Sequence, residues 1–301
     1  MTGLVSGPSG PDGSAIEELR VPARGMVFDA RAAGPPSGRP VLLLHGFPQT
    51  SLSWQHQLAA LGAAGMRAVA FDQRGYSPGA RRAEVADYRL RELVEDVVAV
   101  ADALGFRRFD VVGHDWGAMV AWVLAGRHPE RVRTLTAVSV PHPWAFAAAL
   151  RGHDDGGDQK SRSSYIEIFR LPGHVAEQRL LGEDGSGNGL RTMFTATGMP
   201  ADTPELEEFV AAMREPGALT AALNWYRAMS AEEAADVGMI AASTLFVWST
   251  ADSAIGRRAA EDCANFVSGP YRFEVLEGVS HWIPETAPDT LSKLLLEHLG
   301  D

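Results

Sequence analysis

Residues Gly113-His114-Asp115-Trp116-Gly117 carry the sharpest chemical signal in the chain. They have the G-x-S-x-G spacing of a nucleophile elbow, with aspartate in the serine place. In that motif a strand runs into a sharp turn that presents one side chain, and the turn opens a helix. Glycine is required on either side because the turn crowds its neighbours. The helix N-terminus that follows favours an anion at the bend. The plain alternative is a tight turn with a capping aspartate.

An aspartate here points to one kind of reaction. Its reference pKa of about 3.9 leaves it ionised near neutrality, so its first attack needs no base. It would displace a leaving group from carbon and form an alkyl ester with the protein. Hydrolysis of that ester does need a base, so an orienting acid and a histidine should follow in chain order. Asp252, in Ser249-Thr250-Ala251-Asp252, and His281, in Gly278-Val279-Ser280-His281-Trp282, both follow strand candidates. Such strand ends are where open α/β sheets place their sites. Of the nine histidines only His281 has this position; His128 and His298 end helix candidates, and His114 reads as a packing residue beside the elbow. His45-Gly46-Phe47-Pro48 also follows a strand candidate, which makes the Phe47 and Trp116 N–H groups the expected oxyanion donors. The bond before Pro48 is a candidate for the cis form.

The elements that must position these residues alternate. Short apolar runs at 41–44, 68–71, 109–112, 135–140, 245–248 and 271–276 read as strands. Helical spacing at 88–104, 118–126, 257–266 and 288–299 supplies the helices between them. The fold class expected is α/β, with a mostly parallel central sheet and helices on both faces. Residues 141–235 break the pattern with a helical, proline-interrupted stretch, and 182–189 is glycine-rich enough to form a loose edge. The expected division is a loose tail at 1–16, an α/β core at 17–140 and 236–301, and an inserted helical lid at 141–235.

With these motifs on the page, the chain resembles the soluble epoxide hydrolase family of the α/β-hydrolases from about residue 17 onward. The resemblance rests on His45-Gly46-Phe47-Pro48, Asp72-Gln73-Arg74-Gly75-Tyr76-Ser77, the Asp115 elbow, Asp252 and the His281 motif. Haloalkane dehalogenases share the aspartate elbow and the histidine. Two lid elements point to the epoxide hydrolases: Tyr165 precedes Phe169-Arg170-Leu171-Pro172-Gly173, and Tyr226 lies in Asn224-Trp225-Tyr226-Arg227. The resemblance implies that both phenols donate to the epoxide oxygen. The plain alternative is two aromatic residues at a lid interface. His174 departs from the family pattern, which commonly continues with an apolar residue. The expected activity is conversion of an epoxide to a vicinal diol. The dehalogenase is the alternative, though Phe47 stands where those enzymes often keep an asparagine. A non-catalytic binding protein on the same fold is the third reading.

Bulk properties narrow the partners. A net charge of -11, from 38 acidic and 27 basic side chains, disfavours nucleic acid. No run approaches the ~20 apolar residues of a membrane span, and nothing at the start reads as a secretory signal. Cys263 is the only cysteine, which suits a reducing, cytoplasmic setting. The substrate expected is a small apolar epoxide, with Trp54, Trp144, Phe169, Trp225 and Trp282 as candidate pocket aromatics. No metal or cofactor is expected, because the histidines do not cluster at ligand spacing. A homodimer is left open.

Overall fold

The computed structural model describes residues 15–152, 157–230 and 237–300. Most of the expected N-terminal tail and the expected far boundary of the lid therefore lie outside the described residues.

Eight strands form one sheet in the order β1-β2-β4-β3-β5-β6-β7-β8. They are β1 (Glu17–Ala23), β2 (Met26–Ala33), β3 (Arg39–Leu44), β4 (Met66–Phe71), β5 (Phe109–His114), β6 (Val132–Val138), β7 (Ser243–Ala251) and β8 (Tyr271–Ser280). From β4 across to β8 all pairing is parallel, while β1 and β2 are antiparallel. The central strands are continuous apolar runs because helices cover both of their faces. The edge hairpin is different: β1 alternates, with Leu19, Val21 and Ala23 turned inward. Its two-residue turn, Arg24-Gly25, has positive φ at both positions, the geometry that suits a tight hairpin.

On one face α1 (Gln55–Ala63) and the closing helix, labelled α13 (Pro288–Gly300), pack on Val41, Leu43, Val112 and Leu245. On the other, α2 (Leu90–Ala103) and α3 (Trp116–Arg127) cover Leu42, Val69, Val111 and Ala137. Helix α3 is apolar on almost every side and nearly all buried, as a central helix of such a sheet must be. The 257–266 helix is split into a short α-helix, α11 (Arg257–Glu261), and a 3₁₀ turn, Asp262–Phe266.

Between β6 and β7 every regular element among the described residues is helical: α4 (Pro143–Arg151), α5 (Gly157–Arg162), α6 (Tyr165–Phe169), α7 (Val175–Leu181), α8 (Asn188–Ala196), α9 (Leu206–Arg214) and α10 (Ala218–Ala228). Their apolar faces join the α2/α3 side of the core through Phe194, Phe209, Val210 and Leu223. His174 caps α7 in the left-handed region, at φ 63. Gly182, Gly185 and Gly187 all have positive φ, so the glycines at 182–189 allow a turn that side-chain-bearing residues would resist.

Candidate active site

Every site residue carried by the sheet lies just past the C-terminal end of a strand. Asp115 follows β5 at φ 51 and ψ -121, outside the comfortable region for any residue but glycine. Such strain persists only where its surroundings enforce it. Here Asp115 N–H donates to Val138 O, and Asp115 O accepts from Ala118 and Met119. The flanking glycines leave no alternative. A Cβ on Gly113 would lie 2.2 Å from Gly117 O, and one on Gly46 would lie 2.4 Å from the Asp115 Cβ.

The carboxylate has two distinct oxygens. Phe47 N–H donates to Oδ1 at 2.8 Å. Oδ2 lies 3.6 Å from His281 Nε2. Trp116 opens α3, so its N–H is among the first-turn amides without an intrahelical acceptor. The Phe47-Pro48 bond is cis.

His281 follows β8, and its Nδ1 lies 3.0 Å from both oxygens of Asp252, which follows β7. Asp252 Oδ1 also accepts the N–H groups of Ala254 and Ile255, at 2.8 and 3.0 Å. Burial alone would lower the His281 pKa; the Asp252 and Asp115 carboxylates reverse that and push it up to about 10. Burial would likewise raise both carboxyl pKa values, but the neighbouring imidazole holds each below its ordinary range. The two carboxylates thus favour the charged form of the imidazole, and the imidazole favours theirs.

Tyr165 at the start of α6 and Tyr226 near the end of α10 face the same carboxylate. Burial pushes both phenols up, with Asp115 adding to the effect, so they remain protonated donors. Their rings meet edge to face with centroids 6.3 Å apart. The Tyr226 ring stands nearly perpendicular to Phe47 and Trp116, at 5.2 and 5.1 Å.

Two cavities meet at these residues, because Asp115, Tyr165, Tyr226 and Ala254 line both. One, of about 350 Å³, runs past Phe169, Trp282 and Met193, and has a polar side with Arg162, Ser164 and Thr197. The other is a slot of about 40 Å³ between Met119, Val140, Phe146 and Ile255. A third space of about 200 Å³ lies behind it and shares Trp116, Met119, Phe146 and Met229.

The expected pocket aromatics divide. Phe169 and Trp282 line the larger cavity, and Trp282 donates to Thr197 Oγ1 at 2.9 Å. Trp225 borders the space behind Trp116 and donates to Arg74 O at 2.9 Å. Two placements correct the sequence reading. Trp54 is fully buried in the core on the α1 and α13 face, out of the cavities that reach Asp115. Trp144 is 42% exposed on α4, against Phe266, because α4 turns its alanines inward instead.

Three groups escaped the sequence reading. Ser139, at φ 72, puts its hydroxyl on both Asp252 Oδ2 and His281 Nδ1, the latter at 2.9 Å. Arg162 donates to the Asp252 carbonyl and borders the larger cavity. His114, expected only to pack, also hydrogen-bonds His281 O at 2.9 Å. A polar residue just past a strand end was the available signal for Ser139. Among the described residues no three His, Cys, Asp or Glu side chains gather at ligand spacing, and no helix is long and apolar enough to cross a membrane.

The alpha/beta hydrolase fold family matches residues 39–288. Epoxide hydrolase 4 of Mus musculus is 31% identical, over 94% of this chain and 79% of its own. Epoxide hydrolase A of Mycobacterium tuberculosis is 32% identical, over 95% of this chain and 98% of its own. The crystal structure of epoxide hydrolase A from Mycobacterium thermoresistibile superposes with a TM-score of 0.81 at 29% identity, covering 95% of this chain and 98% of that one.

Proposed function

The chain belongs to the epoxide hydrolase family of the α/β hydrolases, and from that premise we propose that it converts an epoxide to a vicinal diol through an ester on Asp115. The observation that carries this reading is the division of labour at one carboxylate. Oδ1 is tied to the Phe47 N–H, Oδ2 faces the imidazole, and two protonated phenols line the same cavity.

Asp115 Oδ2 attacks a ring carbon and the C–O bond of the epoxide breaks. Tyr165 and Tyr226 donate to the departing ring oxygen, where negative charge develops. Esterification removes the charge of Asp115, and with it part of what holds the proton on His281. The imidazolium then returns that proton towards the phenolate side and becomes a neutral base. It takes a proton from water, and the hydroxide adds to the ester carbonyl. The Phe47 and Trp116 N–H groups hold the resulting oxyanion. Collapse releases the diol, which carries one Asp115 oxygen, and restores carboxylate and imidazolium. Asp252 and Ser139 hold the ring in place throughout.

We read residues 141–235 as a lid that supplies the phenols and closes the cavity. The dehalogenase reading is weaker, because Phe47 stands where those enzymes often keep an asparagine. A single turnover in ¹⁸O-labelled water tests the mechanism. The label should enter Asp115 and be missing from the diol. Label in the first-turnover diol would refute the ester.

A further inference from the structure

Behind the site runs a buried polar chain that the mechanism does not use. His114 Nε2 lies 2.9 Å from His281 O, and its Nδ1 lies 3.0 Å from Gln49 Oε1. As placed, Gln49 Nε2 is 2.5 Å from Glu285 Oε1 and 3.0 Å from Ser53 Oγ. Ser53 Oγ is itself 2.6 Å from Glu285 Oε1. Gln49 and Ser53 follow β3, and Glu285 lies in α12 (Ile283–Thr286), one helical turn past His281.

Proton counting decides how the chain is wired. A backbone carbonyl only accepts, so His114 Nε2 must carry hydrogen. A neutral imidazole then has a bare lone pair at Nδ1, which needs a donor. Gln49 can supply one only by turning its NH₂ to His114, an exchange of ends that changes no occupied volume. Its carbonyl oxygen then faces Glu285 Oε1. Two oxygens 2.5 Å apart need a proton between them, and that separation suits O–H···O better than N–H···O. Glu285 Oε2 is buried and has no partner among the described residues, which a neutral acid tolerates better than a carboxylate.

We propose that Glu285 is a positioning residue that works as a neutral acid, donating to Gln49, which donates to His114, which holds the His281 carbonyl. The surrounding charges agree. Glu205, before α9, adds a negative field instead of a compensating cation, and its own partner His56 is half exposed on α1. Burial raises the Glu285 pKa from 4.5 to about 8. Burial and the neighbouring His281 lower that of His114 to about 4, which keeps the proton off the imidazole. The opposite wiring, imidazolium at His114 and carboxylate at Glu285, would set a second cation against His281, with the rings 4.9 Å apart.

Glu285→Gln is the decisive variant, since glutamine can donate to Gln49 but cannot titrate. Its kcat/KM at pH 7 should stay within about threefold of wild type, one neutral donor replacing another. Wild-type activity should fall as pH rises through about 8, and the variant should move that fall upward. Stability should follow. The folded chain keeps the Glu285 proton to higher pH than the unfolded chain, so wild-type Tm drops between pH 4.5 and about 8 relative to the variant. A loss of tenfold or more at pH 7 in a folded variant, or identical pH profiles, would overturn the proposal.

If the variant does not fold, infrared difference spectra of wild type carrying ¹³C-labelled glutamate replace it. A buried protonated carboxyl should be present at pH 7 and vanish on alkaline titration; its absence at pH 7 refutes the proposal. Only the turnover readout rests on the proposed reaction. An enzyme inactive on epoxides would sink that reaction while the Tm and infrared results still judge Glu285.

Discussion

Asp115, Asp252 and His281 are held by the backbone, whereas Tyr165 and Tyr226 are held by other rings. Asp115 has hydrogen bonds on its own N–H, its carbonyl and its carboxylate. Asp252 is tied to two amides of the following loop, and the His281 carbonyl accepts from His114 and Ile283. The phenols instead sit in a cluster of edge-on aromatics. Tyr165 lies 5.3 Å from Phe169, which lies 5.1 Å from Tyr226. Hydrogen bonds fix direction within narrow limits, while ring edges accept a range of offsets. The strand-end half of the site therefore has its directions fixed by hydrogen bonds. The phenol half, packed ring against ring, is under the looser directional constraint.

The strongest attack on that contrast is Asp115→Ala. It should lower kcat/KM by on the order of 10⁴ or more, because nothing else in the strand-end half can form the ester. A residual rate within tenfold of wild type would place the chemistry elsewhere. His281→Gln should cut turnover by about 10²–10⁴ and leave the first step intact. The intact protein should then gain the mass of one epoxide, and normal turnover without that gain would break the assignment.

Trp54→Ala serves as the control from outside both halves. It should cost about 3–5 kcal/mol of unfolding free energy, read by denaturant titration, with kcat per folded molecule unchanged. A changed kcat would reopen its exclusion from the pocket. Tyr165→Phe and Tyr226→Phe should each reduce kcat by about 10–10²-fold, and the double variant by less than the product, since both act on one oxygen. Strict additivity would mean that they act separately. The smallest effect sharpens the electrostatics. In Asp115→Asn the His281 pKa should fall below about 10, because the imidazolium loses one of two attracting carboxylates. Nitrogen NMR titration of the ring reads it directly.

Legibility in the sequence follows the same line. Strand ends and the elbow are local patterns, so Asp115, Asp252 and His281 could be named from motif and chain order. The parallel body was legible from its apolar runs. The β1-β2 hairpin was not, because its alternation spans only a few residues and its polar face looks like loop. Strand β6 stops at Val138, two residues short of the expected end, since Ser139 leaves the extended region before either proline is reached. Side-chain direction was the main loss. Nothing in the composition near Trp54 or Trp144 tells which face of the sheet or helix will receive the indole. Gln49 and Glu285 are 236 residues apart, and their meeting depends on the whole sheet being assembled.

The helices enter the chain after β6 and leave before β7, two strands that pair residue for residue from Thr134 with Ser243 to Val138 with Val247. That ladder closes the gap whatever is strung between its ends. Elongation of the segment beyond Ser139 and Arg162, which hold Asp252 and His281, is therefore compatible with the strand-end positions of Asp115, Asp252 and His281. In such a scaffold the groups that face the bound molecule can drift through evolution while the residues at the strand ends keep their places.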